Sequence, residues 1–174
     1  MNNIKRIIYS NNLEGEIPSE IGDLKNLKEL NLGNNSLHGQ IPMSIFGLNK
    51  LENFYLWMNK LSGPIPIQIG QLKNLMHLLW QENNFGGPLP SEISKLKNLK
   101  RIYLWENNLS GKIPAEICEM DGLLELGFGE NQIEGEIPSC LVKLENLRVL
   151  SLPNNRLNGT IPIEFSQFKS LVQL

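Results

Sequence analysis

Side chains able to do acid–base, nucleophilic or metal chemistry are few in this sequence, and they lie far apart. Histidine occurs only at His38 and His77, aspartate only at Asp23 and Asp121, and cysteine only at Cys118 and Cys140. There is no glycine-rich phosphate loop, no cysteine–histidine cluster with zinc spacing and no nucleophile elbow. An enzyme, a metal or a cofactor is therefore not expected of this chain. Two spacings do carry electrostatic meaning. His77 precedes Arg101 by 24 residues, and Glu82, Glu106 and Glu130 follow one another at the same step. If that step is one structural repeat, His77 beside Arg101 reads as a binding contact rather than a general base. The three glutamates then become a row of like charges about 5 Å apart. Both a solvated edge and a subsite for a basic side chain are open for that row.

The step of 24 residues runs through the whole chain. Asparagine keeps it at Asn11, Asn35, Asn59, Asn83, Asn107, Asn131 and Asn155. Glycine keeps it from Gly15 to Gly159, and proline from Pro18 to Pro162. The 22 asparagines, 15 glycines and 10 prolines thus mean repetition, and a hydrophobic content of 41% argues against disorder. The formal charge of -2 gives no footprint for nucleic acid or an anionic membrane. No run of about 20 apolar residues is long enough to span a bilayer. The opening "MNNIKRIIYSNN" lacks the apolar segment of a signal peptide, so any address is expected outside this chain.

One full unit reads Leu27-x-x-Leu30-x-Leu32-x-x-Asn35-x-Leu37-x-Gly39-x-Ile41-Pro42-x-x-Ile45-x-x-Leu48. Its Leu-x-Leu piece has the period of a strand, and Ile45 and Leu48 have helical spacing. No single unit can bury its apolar side chains alone, so units must stack around one continuous core. A buried amide repeated once per coil can satisfy backbone groups of adjacent turns, which accounts for the asparagine ladder. Glycine suits a tight turn, and the residue before proline is held extended.

This pattern resembles the plant-type leucine-rich repeat, LxxLxLxxNxLxGxIPxxLGxL, as in ectodomains of plant receptor-like kinases and receptor-like proteins. The resemblance implies an α/β solenoid with a parallel sheet on the concave face and short helical or 3-10 turns on the convex side. The array reads as residues 1–26, an irregular first unit with Asn3 and Arg6 where leucines belong; 27–170, six full repeats; and 171–174, the start of a truncated one. Neither end carries the cysteine-bearing cap usual in the family, so a fragment of a longer array is expected. "IPAEIC" and "IPSCL" match a cysteine pairing familiar in receptor-like proteins, which implies a Cys118–Cys140 disulfide and an oxidising compartment. Asn34, Asn108 and Asn158 open glycosylation sequons.

In such a solenoid the outward sheet positions form columns. Large residues crowd three adjacent units: Tyr55, Trp57 and Met58; Leu79 and Gln81; Tyr103 and Trp105. His77, Arg101, Glu82 and Glu106 stand beside them, whereas flanking units show glycine, serine and asparagine. A patch of a few hundred Å² is expected there. Trp80 falls in the Leu32 column and is expected in the core. Some family members hold a peptide carboxylate with an Arg-x-Arg pair; Arg101 is followed two residues on by Tyr103, so that mechanism does not transfer. The resemblance implies a recognition module on the extracellular side of the plasma membrane or in the apoplast. Its partners would be a peptide or protein ligand and a leucine-rich-repeat co-receptor kinase, with a membrane helix and kinase outside this chain. A secreted polygalacturonase-inhibitor-like protein and a purely structural spacer are the alternatives.

Overall fold

A computed structural model describes residues 4–174 of the chain. Each coil begins with a short strand, and from the second coil on its alternate side chains turn inward. These strands are Ile4–Ile7, Leu27–Asn31, Asn53–Tyr55, His77–Leu79, Arg101–Tyr103, Glu125–Gly127 and Val149–Ser151. They pair in parallel in chain order, and coils are numbered one to seven by them. The register stacks Leu30, Phe54, Leu78, Ile102, Leu126 and Leu150 in one inward column. Of the departures read in the first unit, Asn3 lies outside the described residues. Arg6 is opposite Leu30 in the pairing.

The extended segment after each ladder asparagine does more than lead into proline. Glu14–Glu16, Ser36–Gly39, Lys60–Pro64, Asn84–Pro88, Asn108–Gly111, Gln132–Glu136 and Arg156–Asn158 form a second parallel sheet. Extended backbone repeated at coil spacing presents its N–H and C=O groups to the next coil, so it pairs. Each of these strands reaches a glycine with φ between 71° and 95°, a left-handed turn that residues with a Cβ disfavour. On the convex side, five-residue 3-10 turns follow each proline, from Ser19–Asp23 to Ile163–Gln167. The proline fixes φ at the entry, and its carbonyl accepts the N–H three residues on, as in Ile45 N to Pro42 O at 3.1 Å.

The core runs the length of the solenoid. Phe54, Leu56, Leu61, Ile69, Leu72, Leu75 and Leu78 are fully buried, as are their equivalents in coils five and six. Trp80 is fully buried, edge-on to Phe54 at 5.1 Å and tilted against Phe85 at 5.2 Å. Apolar side chains meet water mainly where stacking stops. Ile8, Tyr9 and Leu13 are exposed in the first coil, and Ile161, Ile163, Val172 and Leu174 in the last.

The asparagines lock successive coils together. The Oδ1 of Asn83 accepts the Leu61 N–H at 3.0 Å. Its Nδ2 donates to Leu56 O one coil back, and to Trp80 O and Gln81 O in its own coil. Asn35, Asn59, Asn107, Asn131 and Asn155 repeat the backward acceptance, each taking an N–H 22 residues earlier. Among the described residues the Asn11 amide reaches only Ile8 O and Tyr9 O, and Asn11 is exposed.

Candidate ligand-binding surface

Strand alternation sends Phe54 and Leu56 inward and leaves Tyr55 and Trp57 on the concave face. The same rule places Leu79, Tyr103 and Trp105 outward, with Tyr55, Leu79 and Tyr103 in direct register. These side chains are half-buried rather than free in water, because they lie down on neighbouring coils. The Trp57 indole covers Gly33 so closely that a Cβ there would come within 2.4 Å of it. The Tyr9 ring sits 6.5 Å from the same indole. Gly33 is consequently buried. Trp105 and Tyr103 instead cover Gly127 in the following coil. The two indoles thus lean in opposite directions along the solenoid, with Leu79 and Gln81 between them.

His77, Arg101 and Glu125 form one row across coils four to six. Arg101 Nε donates to Glu125 Oε1 at 2.9 Å, and the Tyr103 hydroxyl donates to Glu125 Oε2. Burial opposes the charge on Glu125, but the hydrogen bonds from Tyr103 and Arg101 outweigh it and hold the carboxyl below its usual range. Burial, then the bond to Glu125, pushes Tyr103 up to about 12. Burial and the Arg101 charge lower His77, so its imidazole is neutral at neutral pH. Tyr55 is raised by burial and then by Glu29. Arg101 is therefore a paired cation, and Glu125 belongs to the site although the sequence reading passed over it. The signal was there: opposite charges exactly one repeat apart face each other on adjacent parallel strands.

The strand exits form a rim of left-handed residues. Met58, Glu82, Glu106 and Glu130 have φ of 52°, 57°, 51° and 51°, and Asn34 and Asn154 share that conformation. Asparagine tolerates this region; methionine and glutamate enter it at a steric cost. Among the described residues the carboxylates of Glu82 and Glu106 have no hydrogen-bond or ion-pair partner, although both backbones are bonded to the neighbouring coils. Burial and the neighbouring Glu106 raise the Glu82 carboxyl above its ordinary value. Asn154 Nδ2 donates to Glu130 Oε1. Beside the rim, His77 Nδ1 and Gln81 Oε1 are buried without a partner.

Other residues fall elsewhere. Cys118 and Cys140 are joined by a disulfide with Cα atoms 5.7 Å apart, tying two convex turns together. Asn108 and Asn158 are exposed on the second sheet, whereas Asn34 is half-buried at the concave rim with Nδ2 on Ser10 Oγ at 3.2 Å. A second set of inter-coil amides went unread in the sequence: Asn74, Asn98 and Asn146 each donate to a carbonyl 25 residues earlier. Among the described residues, no group of three His, Cys, Asp or Glu side chains is placed to hold a metal, and no helix is long and apolar enough to cross a membrane.

The arrangement is an aromatic-rich concave face carried on a repeat solenoid. The family model for Leucine Rich Repeat matches residues 26–48, 98–120 and 146–168. A curated relative, the leucine-rich repeat receptor-like serine/threonine-protein kinase RGI4 of Arabidopsis thaliana, is 54% identical over 39 residues, 22% of this chain and 4% of that protein. The ectodomain of the Arabidopsis thaliana membrane receptor kinase GASSHO1/SCHENGEN3, in complex with CASPARIAN STRIP INTEGRITY FACTOR 2, superposes with a TM-score of 0.91 at 40% identity. That match covers 93% of this chain and 19% of the solved one. The Arabidopsis receptor kinase HAESA, in complex with the peptide hormone IDA and the co-receptor SERK1, gives a TM-score of 0.91 at 38% identity, covering 94% of this chain and 27% of that one. The chain is a leucine-rich-repeat solenoid similar to those of plant receptor-kinase ectodomains. It spans between 4% and 27% of the length of these relatives.

Proposed function

We propose that this solenoid is part of the ectodomain of a plant receptor kinase or receptor-like protein and binds a peptide or protein on the concave sheet of coils three to five. A co-receptor of similar architecture would join the complex at the outer side of the plasma membrane. One observation carries the reading: Tyr55, Trp57, Leu79, Tyr103 and Trp105 share the outward face of three adjacent strands, whereas the flanking coils present Gly33, Gly127, Gly129 and Ser151 there. Inward positions keep apolar residues from coil two to coil seven, so stacking does not require aromatic residues outside. Aromatic side chains are the usual energetic centres of an interface. The neighbouring ectodomains, solved with peptides, support the ligand class.

The test is to pan a secreted-peptide library on the solenoid and on its Trp57→Ala/Trp105→Ala variant. Each single substitution is expected to weaken capture of a selected peptide by more than about 1 kcal/mol. Undiminished binding by the double variant would remove the concave patch from consideration.

A further inference from the structure

We propose that Asn108 and Asn158 carry N-linked glycans on the outer surface of the second sheet, whereas the Asn34 sequon at the concave rim carries none. The inference rests on the ectodomain reading above, which sends the chain through a secretory route.

The disulfide supports that route independently. Cys118 and Cys140 join two neighbouring convex turns, and structural disulfides form and persist in oxidising compartments. Coil five holds both Asn108 and Cys118, so the compartment that oxidises the cysteine also sees the sequon.

The folded chain then separates the three sequons. Asn108 opens the strand Asn108–Gly111, in which alternation buries Leu109 completely and turns Asn108 outward. Ser110, the hydroxyl residue of that sequon, shares the outward parity. Asn158 closes the strand Arg156–Asn158, where Arg156 and Asn158 are exposed on either side of the half-buried Leu157. Thr160 completes this sequon and is exposed as well. Among the described residues neither side-chain amide has a hydrogen-bond partner. A bulky, hydrated glycan needs such a free surface nitrogen. Both asparagines belong to the second sheet, so glycans there leave the concave aromatic residues uncovered.

Asn34 differs in each respect. It is half-buried with φ of 52°, and its Nδ2 donates to Ser10 Oγ of the preceding coil at 3.2 Å. Its neighbour Gly33 lies under the Trp57 indole. A sugar on that nitrogen would disturb the bond to coil one and stand beside Trp57.

The donor is a lipid-linked oligosaccharyl diphosphate of the secretory route, acted on by a transferase of that route. The bond from the sugar C1 to the diphosphate oxygen breaks and a bond from C1 to Nδ2 forms. One amide proton is lost, and the lipid diphosphate is the leaving group.

The experiment directs the full chain into the secretory route of plant cells with a leader peptide, which fixes the compartment and leaves the sites as the variable. Glycans are released from secreted and cell-retained chain by a peptide amidase in heavy-oxygen water, and labelled positions are mapped by peptide mass spectrometry. A sample without amidase subtracts spontaneous deamidation at Asn158-Gly159. The expected result is label at Asn108 and Asn158 and none at Asn34. Asn108→Gln and Asn158→Gln should each remove one glycan's mass from the intact chain, and Asn34→Gln should remove nothing. Absence of label at Asn108 or at Asn158 overturns the proposal, as does label at Asn34. The receptor reading fails separately, by peptide binding that Trp57→Ala/Trp105→Ala does not weaken.

Discussion

The two faces of one strand in coil four obey different rules. Inward, Leu78 and Trp80 are fully buried, the Trp80 Nε1 without an acceptor, and the neighbouring Asn83 makes its hydrogen bonds to backbone of two coils. Outward, His77 and Gln81 each leave a buried polar atom without a partner, and Glu82 has no counter-ion. The inner face must fit the coil before and the coil after, so its residue types repeat at every step. The outer face answers to no neighbour in that way. It can hold Trp57 in coil three and Gly129 in coil six, because the stacked core does not depend on the choice. The difference separates positions that make the solenoid from positions that give it something to do.

Exchanging the faces' tryptophans tests this most severely. Trp80→Ala empties a core site and is expected to cost about 3–5 kcal/mol in urea unfolding. Trp105→Ala should cost well under about 1 kcal/mol by the same measure while impairing ligand capture. A comparable loss of stability from both would break the distinction.

The next effect in size sharpens the inner rule. Asn83→Ala strands the Leu61 N–H and three carbonyl contacts, so unfolding is expected to come about 1–3 kcal/mol earlier. Asn11→Ala, at an exposed ladder position whose amide bonds carbonyls of its own coil, should fall within about 0.5 kcal/mol of the parent.

The smallest effect concerns the outer face. Tyr103 binds its proton more tightly in the folded chain, up to about 12 against 10.0 for the free side chain. Its contribution to stability is therefore complete below pH 10 and is lost as pH rises through 12. An ultraviolet titration should show this tyrosine ionising late, and Glu125→Gln should move that step to lower pH.

Much of the solenoid was readable because the same demand recurs every 24 residues. Leu30, Asn35, Gly39 and Pro42 each repeat down the chain, and the core position of Trp80 follows from its column alone. The outward columns could be written down the same way, placing Tyr55, Trp57, Tyr103 and Trp105 on one face. Pairing across the second sheet was not legible, since the residues between asparagine and glycine vary and only backbone groups make the contact. The role of Glu125 was also missed, although its place one repeat after Arg101 sets the two opposite charges on adjacent strands.

The sequence by itself determined the coil, its period, its inner core and the face on which the variable residues stand, since these follow from local periodicity and the need of each unit for the next. Only the tertiary structure decided that Trp57 and Trp105 lean apart onto Gly33 and Gly127, that Glu125 neutralises Arg101, and that Glu82 and Glu106 are left unpaired. Those outcomes depend on rotamers and distances between side chains 22 to 24 residues apart, which a repeat pattern brings together without saying how they will settle.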